Sequence, residues 1–194
     1  MFQSPVLLRI SILGSGNVGK SCLTLQFMYD EFVEDYEPTK ASSYVKSMTL
    51  DNFSCDVSIR DTAGQEDFAG VNENAYTFTD GFLIVFSLTD SDSFTEAERL
   101  LDRCATFQPD ERVPRILVGN KVDLVDQIQV SKESAIEFAN RWNIPYMETS
   151  AKTNHNVQEV FYRISKEIYL RKFVNNQPQY QLNKSNENNC CCIL

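Results

Sequence analysis

The sequence is poor in histidine and has no metal-binding pattern of cysteines. Its 194 residues include a single histidine and six cysteines, and none of these residues has the spacing of zinc ligands. A catalytic pair of cysteine and histidine is therefore not expected. We interpret Cys22, Cys55 and Cys104 as small core residues.

Long apolar runs and amino-terminal targeting signals are missing as well. The longest apolar stretches are about as short as the run at 82–86, whereas a transmembrane helix needs roughly 20 apolar residues. The first residues contain neither a basic nor an apolar segment, and Phe2 stands where N-myristoylation requires a glycine. We therefore expect a chain that is made and kept in the cytosol.

Positive charge is in deficit. The chain has 18 Lys and Arg residues against 27 Asp and Glu residues, a formal net charge of −9. This balance repels both a nucleic-acid backbone and an anionic membrane surface. Nucleic acid is thus not an expected partner, and contact with a membrane would have to be made through a lipid.

Short apolar strands alternate with amphipathic helices, which predicts an α/β domain with a mainly parallel sheet and helices on both faces. The predicted strands are residues 6–13, 53–60, 81–88, 115–119 and 144–148. Apolar residues at helical spacing occur at 94–104, 135–142 and 157–168. After Val174 the composition shifts to Asn and Gln, so we divide the chain into a domain over 1–174 and a flexible tail over 175–194.

The segment after the first strand matches the phosphate-binding pattern G-x-x-x-x-G-K-[ST] and precedes a helix. Its residues are Gly14, Ser15, Gly16, Asn17, Val18, Gly19, Lys20 and Ser21. The glycines let backbone N–H groups and a helix amino terminus face phosphates. Lys20 is predicted to reach the β and γ phosphates and Ser21 to bind Mg²⁺; Cys22, next in the chain, is included in the nucleotide site.

Two later segments predict which base is bound. Asn120-Lys121-Val122-Asp123 ends a strand, and the carboxylate of Asp123 can accept the N1–H and 2-amino protons of guanine, a donor pair that adenine lacks. Ser150-Ala151-Lys152 is predicted to offer a backbone N–H to guanine O6 and an aliphatic stem to the base. Ligands in open α/β sheets bind outside the carboxyl ends of the strands, where these segments converge.

The segment that starts at Asp61 supplies groups for a γ-phosphate. Asp61 offers a carboxylate to the Mg²⁺ shell, Gly64 a backbone N–H to the phosphate, and Gln65 an amide that can orient water for in-line attack. Thr39 is the natural second hydroxyl ligand of the metal. We assign Lys20, Gly64 and Gln65 to catalysis.

These residues resemble a Ras-type small GTPase over roughly 6–174, and the run 26–41 and the ending Cys191-Cys192-Ile193-Leu194 resemble its Ral branch. The resemblance implies the P-loop small GTPase fold, a six-stranded mixed sheet with one antiparallel strand and helices on both faces. It also implies switch segments near 34–42 and 63–76, which GTP orders through Thr39 and Gly64 and hydrolysis releases.

The resemblance further implies that Phe32 packs against the base edge, that Tyr36 covers the phosphates, and that Lys40 and Ala41 select Ral-type effectors, notably exocyst subunits. The implied effector-binding residues are Tyr36, Glu37, Pro38, Thr39, Lys40, Ala41 and Ser42. Exchange factors and activating proteins are the other implied partners of a monomer.

An internal arginine that could assist hydrolysis is missing. No arginine occurs between Ser21 and Ile59, and Arg60 is expected on the face of its strand opposite Asp61. In Ras, an arginine supplied by a partner raises the rate by about 10⁵. We therefore expect slow hydrolysis by the protein alone and strong acceleration by a partner.

The sequence departs from the Ral pattern inside the domain. Asn17 replaces a glycine, which is either harmless, because Asn tolerates unusual backbone angles, or loosens phosphate binding and speeds exchange. Ser42 and Val45 stand where Ral proteins carry an acidic and a basic residue on the effector-facing strand. Both substitutions remove a charge from the strand that the resemblance assigns to effector binding.

The tail lacks the Lys and Arg cluster common in the family. Its ending fits the C-a-a-X pattern with leucine last, which favours geranylgeranylation of Cys191. One lipid holds a membrane reversibly, so a second signal is needed, and palmitoylation of Cys190 could supply it. We expect a lipid-anchored protein on the cytoplasmic face of the plasma membrane or of endomembranes.

The leading prediction is a membrane-tethered Ral-like GTPase that alternates between GDP and GTP states and recruits effectors in signalling and vesicle traffic. The competing class is a nucleotide-bound scaffold that no longer cycles, which the departures at Asn17 and Ser42 leave open. A P-loop ATPase or kinase would require Asn120 and Asp123 to be coincidental.

Overall fold

A computed structural model describes residues 5–33, 42–62 and 73–174 of the protein. The strands are β1 (Val6–Leu13), β2 (Ser42–Leu50), β3 (Phe53–Asp61), β4 (Gly81–Ser87), β5 (Arg115–Asn120) and β6 (Tyr146–Glu148). The helices are α1 (Lys20–Tyr29), α2 (Glu73–Thr77), α3 (Ser91–Phe107), α4 (Lys132–Arg141) and α5 (Val157–Tyr169). A 3₁₀ turn covers Val125–Gln127, and a π-helical turn, Leu170–Val174, extends α5.

The six strands form one sheet in the order β2-β3-β1-β4-β5-β6. Strand β2 runs antiparallel to β3, and the other neighbouring pairs are parallel. The six-stranded mixed sheet that the resemblance implied is thus confirmed. Because the parallel strands end at the same edge, the segments that follow β1, β4, β5 and β6 meet there.

Each face of the sheet carries its own buried cluster. On one face, residues of β1, β3, β4 and β5 pack beneath α1 and α5, where Phe27 and Phe161 stack with ring centroids 4.1 Å apart. On the other face, Phe82, Ile84 and Phe86 of β4 pack beneath α2, α3 and α4. The central strand β4 is therefore buried along its whole length, as expected of a parallel strand with both faces covered.

Side chains cap the amino termini of α3 and α4. The carboxylate of Asp90 accepts the N–H groups of Asp92 (3.0 Å) and Ser93 (3.2 Å) before α3. The hydroxyl of Ser131 accepts the N–H of Ser134 (3.2 Å) before α4. Each cap satisfies amide donors that have no partner within the helix.

The predicted strand and helix positions are confirmed with small shifts. Strand β6 begins at Tyr146 rather than Ile144, because the N–H of Ile144 closes the end of α4 on the carbonyl of Ala139 (3.0 Å). Cys55 and Cys104 are buried in the core, and Cys22 is half-buried and packs against the cluster beneath α1 and α5. Among the described residues, no helix is long and apolar enough to cross a membrane.

Candidate functional site

The loop between β1 and α1 requires glycine at two positions. A Cβ atom at Gly14 would overlap the carbonyl oxygen of Val85. At Gly19, φ is 96°, a backbone conformation that strains residues with a side chain. A Cβ atom there would also overlap the side-chain amide of Asn120. The backbone therefore passes closer to β4 and β5 than any residue with a side chain would allow.

Lys20 is enclosed by this loop. Its side chain is 6 % exposed, and its ammonium group donates to the carbonyl oxygens of Gly14 (2.7 Å) and Ser15 (2.8 Å). A positive charge is thereby held against the inner side of the phosphate-binding loop. The position agrees with its predicted role toward the β and γ phosphates.

Asn17, which replaces the glycine of the Ral pattern, is compatible with the backbone conformation of the phosphate-binding loop. Its φ of 61° lies in the left-handed region, which Asn tolerates better than most residues, and its side chain is exposed. Its carbonyl oxygen accepts a hydrogen bond from the ammonium group of Lys121 at 2.7 Å. The contact uses the backbone, so it does not depend on the Asn side chain.

The side chain of Asn120 joins three segments of the site. It is 2 % exposed, and its Nδ2 donates to the carbonyl oxygen of Val18 at 2.9 Å. Its Oδ1 accepts from the hydroxyl of Thr149 (3.1 Å) and the backbone N–H of Ala151 (3.3 Å). One buried amide thus holds the phosphate-binding loop against the segment after β6, while its own backbone belongs to β5.

The residues predicted to recognise the base lie around this amide. Lys121, with φ of 68°, and the half-buried Asp123 follow β5 directly. Ser150 is fully buried and pairs its backbone with that of His155 through two hydrogen bonds of 3.1 Å, whereas Lys152 is exposed. The turn after β6 is thereby closed, with Ala151 at its inner side.

Asp61 places a buried negative charge next to Lys20. It is fully buried, and neither carboxylate oxygen has a hydrogen-bond partner of ordinary geometry among the described residues. Burial raises the pKa of Asp61, while the Ser21 hydroxyl and the Lys20 charge act in the opposite direction. A carboxylate buried in this way needs a cation or a strong donor to remain ionised.

The pair of Ser21 and Asp61 has the chemistry of a hard-cation site. A hydroxyl and a carboxylate oxygen are the ligands that Mg²⁺ takes alongside phosphate oxygens. Within the described residues, no group of three His, Cys, Asp or Glu side chains could hold a metal by itself. These residues therefore fit a metal that the nucleotide also coordinates, rather than a metal cage made by protein alone.

Two further predicted residues line the approach to the site. Cys22 is half-buried and its thiol lies 3.7 Å from the carbonyl oxygen of Val33, and burial raises its pKa. It is therefore a packing contact rather than a reactive thiolate. Phe32 is 36 % exposed, and its predicted contact with the base stays a prediction.

Several predicted site residues lie outside the described residues. They include the catalytic and phosphate-contacting residues of the segment after Asp61, most of the effector-binding segment and both lipidation sites: Gly64, Gln65, Tyr36, Glu37, Pro38, Thr39, Lys40, Ala41, Cys190 and Cys191. The predicted roles of these residues stay predictions. Ser42 is described and begins β2 opposite Asp61 in the strand register.

Sequence reasoning missed residues that hold the site without contacting a ligand. Thr149 supports Asn120, and the hydroxyl of Thr62 donates to the carbonyl of Ile12 at 2.8 Å, tying the end of β3 to β1. Asn154 donates to the carboxylate of Asp30 at 3.0 Å, which links the end of α1 to the turn after β6. Only the position of Thr62 and Thr149 at strand ends could have pointed to them.

Comparisons with known proteins agree with this site. Residues 9–170 match the Ras family. The chain is 46 % identical over 197 residues to the Ras-related protein O-RAL of Diplobatis ommata, covering 99 % of this chain and 96 % of that protein. It is 49 % identical over 168 residues to the Ras-related protein Ral-a of Drosophila melanogaster (87 % and 84 % covered), and 44 % identical over 196 residues to the Ras-related protein Ral-B of Rattus norvegicus (98 % and 95 %).

The chain therefore belongs to the Ras family. Within that family it is a Ral-like small GTPase, which binds guanine nucleotide and hydrolyses GTP. The predictions that the protein binds guanine nucleotide and that it is a GTPase are confirmed, whereas the contacts assigned to Asp123 and to residues 150–152 stay predictions.

Replacing Asp123 by asparagine is expected to weaken GDP binding by roughly 100-fold or more, because an amide nitrogen would face the N1–H and 2-amino donors of guanine. Fluorescence titration with labelled GDP measures the affinity. Asp126→Asn makes the same change on the exposed 3₁₀ turn and should bind like the unaltered protein. Equal affinities of the two variants would contradict the assignment of Asp123.

Proposed function

We propose that the protein is a membrane-tethered molecular switch of the Ral type, which cycles between GDP-bound and GTP-bound states and recruits effectors in its GTP state. The observation that carries the proposal is the buried carboxylate of Asp61 beside Ser21 and Lys20, at the end of the strand that leads into residues 63–72. A site that senses the γ-phosphate needs such a charge at the start of the second switch segment.

Mg²⁺ belongs to this proposal. Ser21, Asp61 and Thr39 would hold the ion together with oxygens of the nucleotide, and the ion would neutralise charge on the β and γ phosphates. Lys20 contributes a second positive charge from the phosphate-binding loop, and the buried surroundings of Asp61 strengthen both attractions. Gln65 and Gly64 would orient the attacking water and bind the γ-phosphate.

Asp61→Asn is expected to lower the apparent Mg²⁺ affinity of the GDP complex by roughly 10- to 100-fold, because a neutral amide is a weaker ligand than a carboxylate. The rate of GDP release, followed while Mg²⁺ is titrated, gives this affinity. Asp56→Asn is the matched control, since Asp56 is a half-exposed residue of the same strand that accepts from Ser47 at 2.6 Å. A Mg²⁺ titration of Asp61→Asn that overlays this control would argue against the metal site.

Slow intrinsic hydrolysis is a second part of the proposal. Arg60 lies between Ser11 and Ser43 in the strand ladder, one residue from Asp61, and successive side chains of a strand point to opposite faces. An arginine from an activating protein would therefore complete the charge stabilisation around the transferred phosphate.

In a single-turnover assay, the GTP-loaded protein alone should hydrolyse GTP at a rate on the order of 10⁻⁴ to 10⁻³ s⁻¹, the range of unaided Ras-type hydrolysis. Gln65→Leu should be slower still, because water is no longer oriented, whereas Gln129→Leu removes only a 3.3 Å contact with the N–H of Ser91 and should hydrolyse normally. Rapid unaided hydrolysis would refute the need for an arginine from a partner. A Gln65→Leu rate equal to that of the unaltered protein would favour a scaffold without cycling.

Effector binding is assigned to residues 36–42 and to the outer strand β2. As an edge strand, β2 exposes one side of its backbone, and Val45 is 60 % exposed on it. Exocyst-type effectors are the proposed partners. The uncharged Ser42 and Val45, at positions where Ral proteins carry charges, are the residues expected to alter the strength of that binding.

The membrane tether is assigned to Cys191, geranylgeranylated in its C-a-a-X ending, with palmitoylation of Cys190 as a second lipid signal. The tail between Val174 and Cys191 can span roughly 20 Å as a coil, enough to separate the domain from the bilayer. The proposed location is the cytoplasmic face of the plasma membrane or of endomembranes.

Cys191→Ser should move the protein from the membrane fraction to the soluble fraction, because it removes the thiol that receives the prenyl chain. Cell fractionation with immunodetection measures the distribution. Cys192→Ser is the matched control, since this residue is removed when the ending is processed and should leave the membrane fraction unchanged. Membrane residence of Cys191→Ser equal to that of the control would reject the anchor.

A further inference from the structure

The end of α5 opposite the nucleotide site carries an exposed apolar surface. Phe53 is 54 % exposed, and Leu170 and Phe173 are each 39 % exposed. The half-buried ring of Tyr169 lies between the two phenylalanines, with centroids 5.0 Å from Phe53 and 5.2 Å from Phe173. We name these four residues, Phe53, Tyr169, Leu170 and Phe173, the aromatic patch.

The aromatic patch takes no part in nucleotide binding. Phe53 begins β3, and the parallel neighbour β1 begins beside Cys55, whereas the phosphate-binding loop follows the opposite end of β1. The patch continues the buried cluster beneath α1 and α5 outward to the surface, because Tyr169 packs against that cluster. Internal packing therefore explains Tyr169 but leaves Phe53 and Phe173 exposed.

The position of the patch along the chain indicates what it faces. The described helix ends at Val174, directly after Phe173, and the chain continues to Cys191 in the proposed lipid-anchored ending. The chain leaves the domain next to these rings, and the coil proposed for the residues up to Cys191 would reach roughly 20 Å. A bilayer that holds the lipid is thus within reach of the patch.

The basic residues next to the patch are held in ion pairs, and Arg112 shares the carboxylate of Asp110 with Arg171. Lys166 pairs with Asp51 (3.1 Å), Arg171 with Asp110 (3.0 Å) and Lys172 with Asp80 (2.5 Å). The tail that follows has no basic cluster. Attraction to anionic lipids is therefore weak here, and apolar and aromatic contacts remain as the means of holding a membrane surface.

We propose that the aromatic patch lies in the headgroup region of the bilayer and acts as a second, non-ionic membrane contact beside the lipid on Cys191. The inference rests on the proposed membrane tether. Aromatic rings favour the interface between water and hydrocarbon, and a single lipid chain holds a membrane only reversibly. The patch would also orient the domain, with the nucleotide site away from the bilayer.

The first experiment measures partition of the geranylgeranylated full chain onto phosphatidylcholine vesicles by flotation. Phe53→Ser with Phe173→Ser should lower the partition coefficient about tenfold, or about 1.4 kcal/mol. The matched control, Val125→Ser with Ile128→Ser, changes side chains that are 69 % and 41 % exposed near the nucleotide site, and should partition like the unaltered chain. GDP release in solution should be the same for all three proteins.

Lipid composition and salt separate this contact from an electrostatic one. Vesicles with added phosphatidylserine, or a change from low to high salt, should leave the difference between the patch variant and the control unchanged. A patch variant that partitions like the control would overturn the inference. So would a difference confined to phosphatidylserine vesicles at low salt.

A second experiment, based on tryptophan quenching, needs neither prenylation nor the serine variants. The full chain with a carboxyl-terminal histidine tag is held on vesicles that contain a nickel-chelating lipid, and tryptophan replaces Phe173 or, as control, Val125. Lipids brominated in the acyl chains should quench the tryptophan at 173 and leave the one at 125 unquenched, above the common background of Trp142.

Quenching at neither position would overturn the inference. Failure of Cys191 to accept a prenyl group, with quenching at 173 retained, would reject the anchor alone.

Discussion

The buried amide of Asn120 is the contact on which the nucleotide end of the protein depends. Its nitrogen donates to Val18 of the phosphate-binding loop, and its oxygen accepts from Thr149 and Ala151 at the end of β6. Val18 is more than a hundred residues away in the chain from both Asn120 and the end of β6. The sheet by itself would place the ends of these loops near each other without fixing their relative positions. The amide fixes them, and it also forces glycine at position 19.

Charge is the second constraint at this end. Lys20 and Asp61 bring opposite charges into one buried corner, yet the ammonium group donates to loop carbonyls and the carboxylate has no hydrogen-bond partner of ordinary geometry among the described residues. Such an arrangement is costly for the protein alone, and the bound nucleotide and the proposed Mg²⁺ would compensate both charges. Nucleotide binding and stability of this corner are therefore linked.

Helix α5 connects the two ends of the molecule. It begins just after the turn that holds Ala151, packs its apolar side on the sheet through residues such as Phe161, and continues through the π-helical turn to Phe173. A packed helix of this length acts as a rigid spacer. The nucleotide end and the aromatic patch consequently keep a fixed separation, which would let a membrane contact at one end set the orientation of the other.

The sequence by itself determined the class of protein, since the phosphate-binding loop, the Asn120–Asp123 segment and the Ser150–Lys152 segment are local patterns whose chemistry can be read from residue types. It also predicted most strands and helices, because buried elements show clear apolar periodicity. Strand β2 was not predicted from periodicity, because half-buried and exposed residues alternate along it and neither face is mainly apolar. Only the tertiary structure decided that Asn120 links the phosphate-binding loop to the turn after β6 and that Asp61 is buried beside Ser21 and Lys20. It also decided that Cys22 is half-buried and that Phe53 contacts Tyr169, which in turn contacts Phe173. These features arise from side chains distant in the chain that meet only when the sheet closes, so no local pattern encodes them.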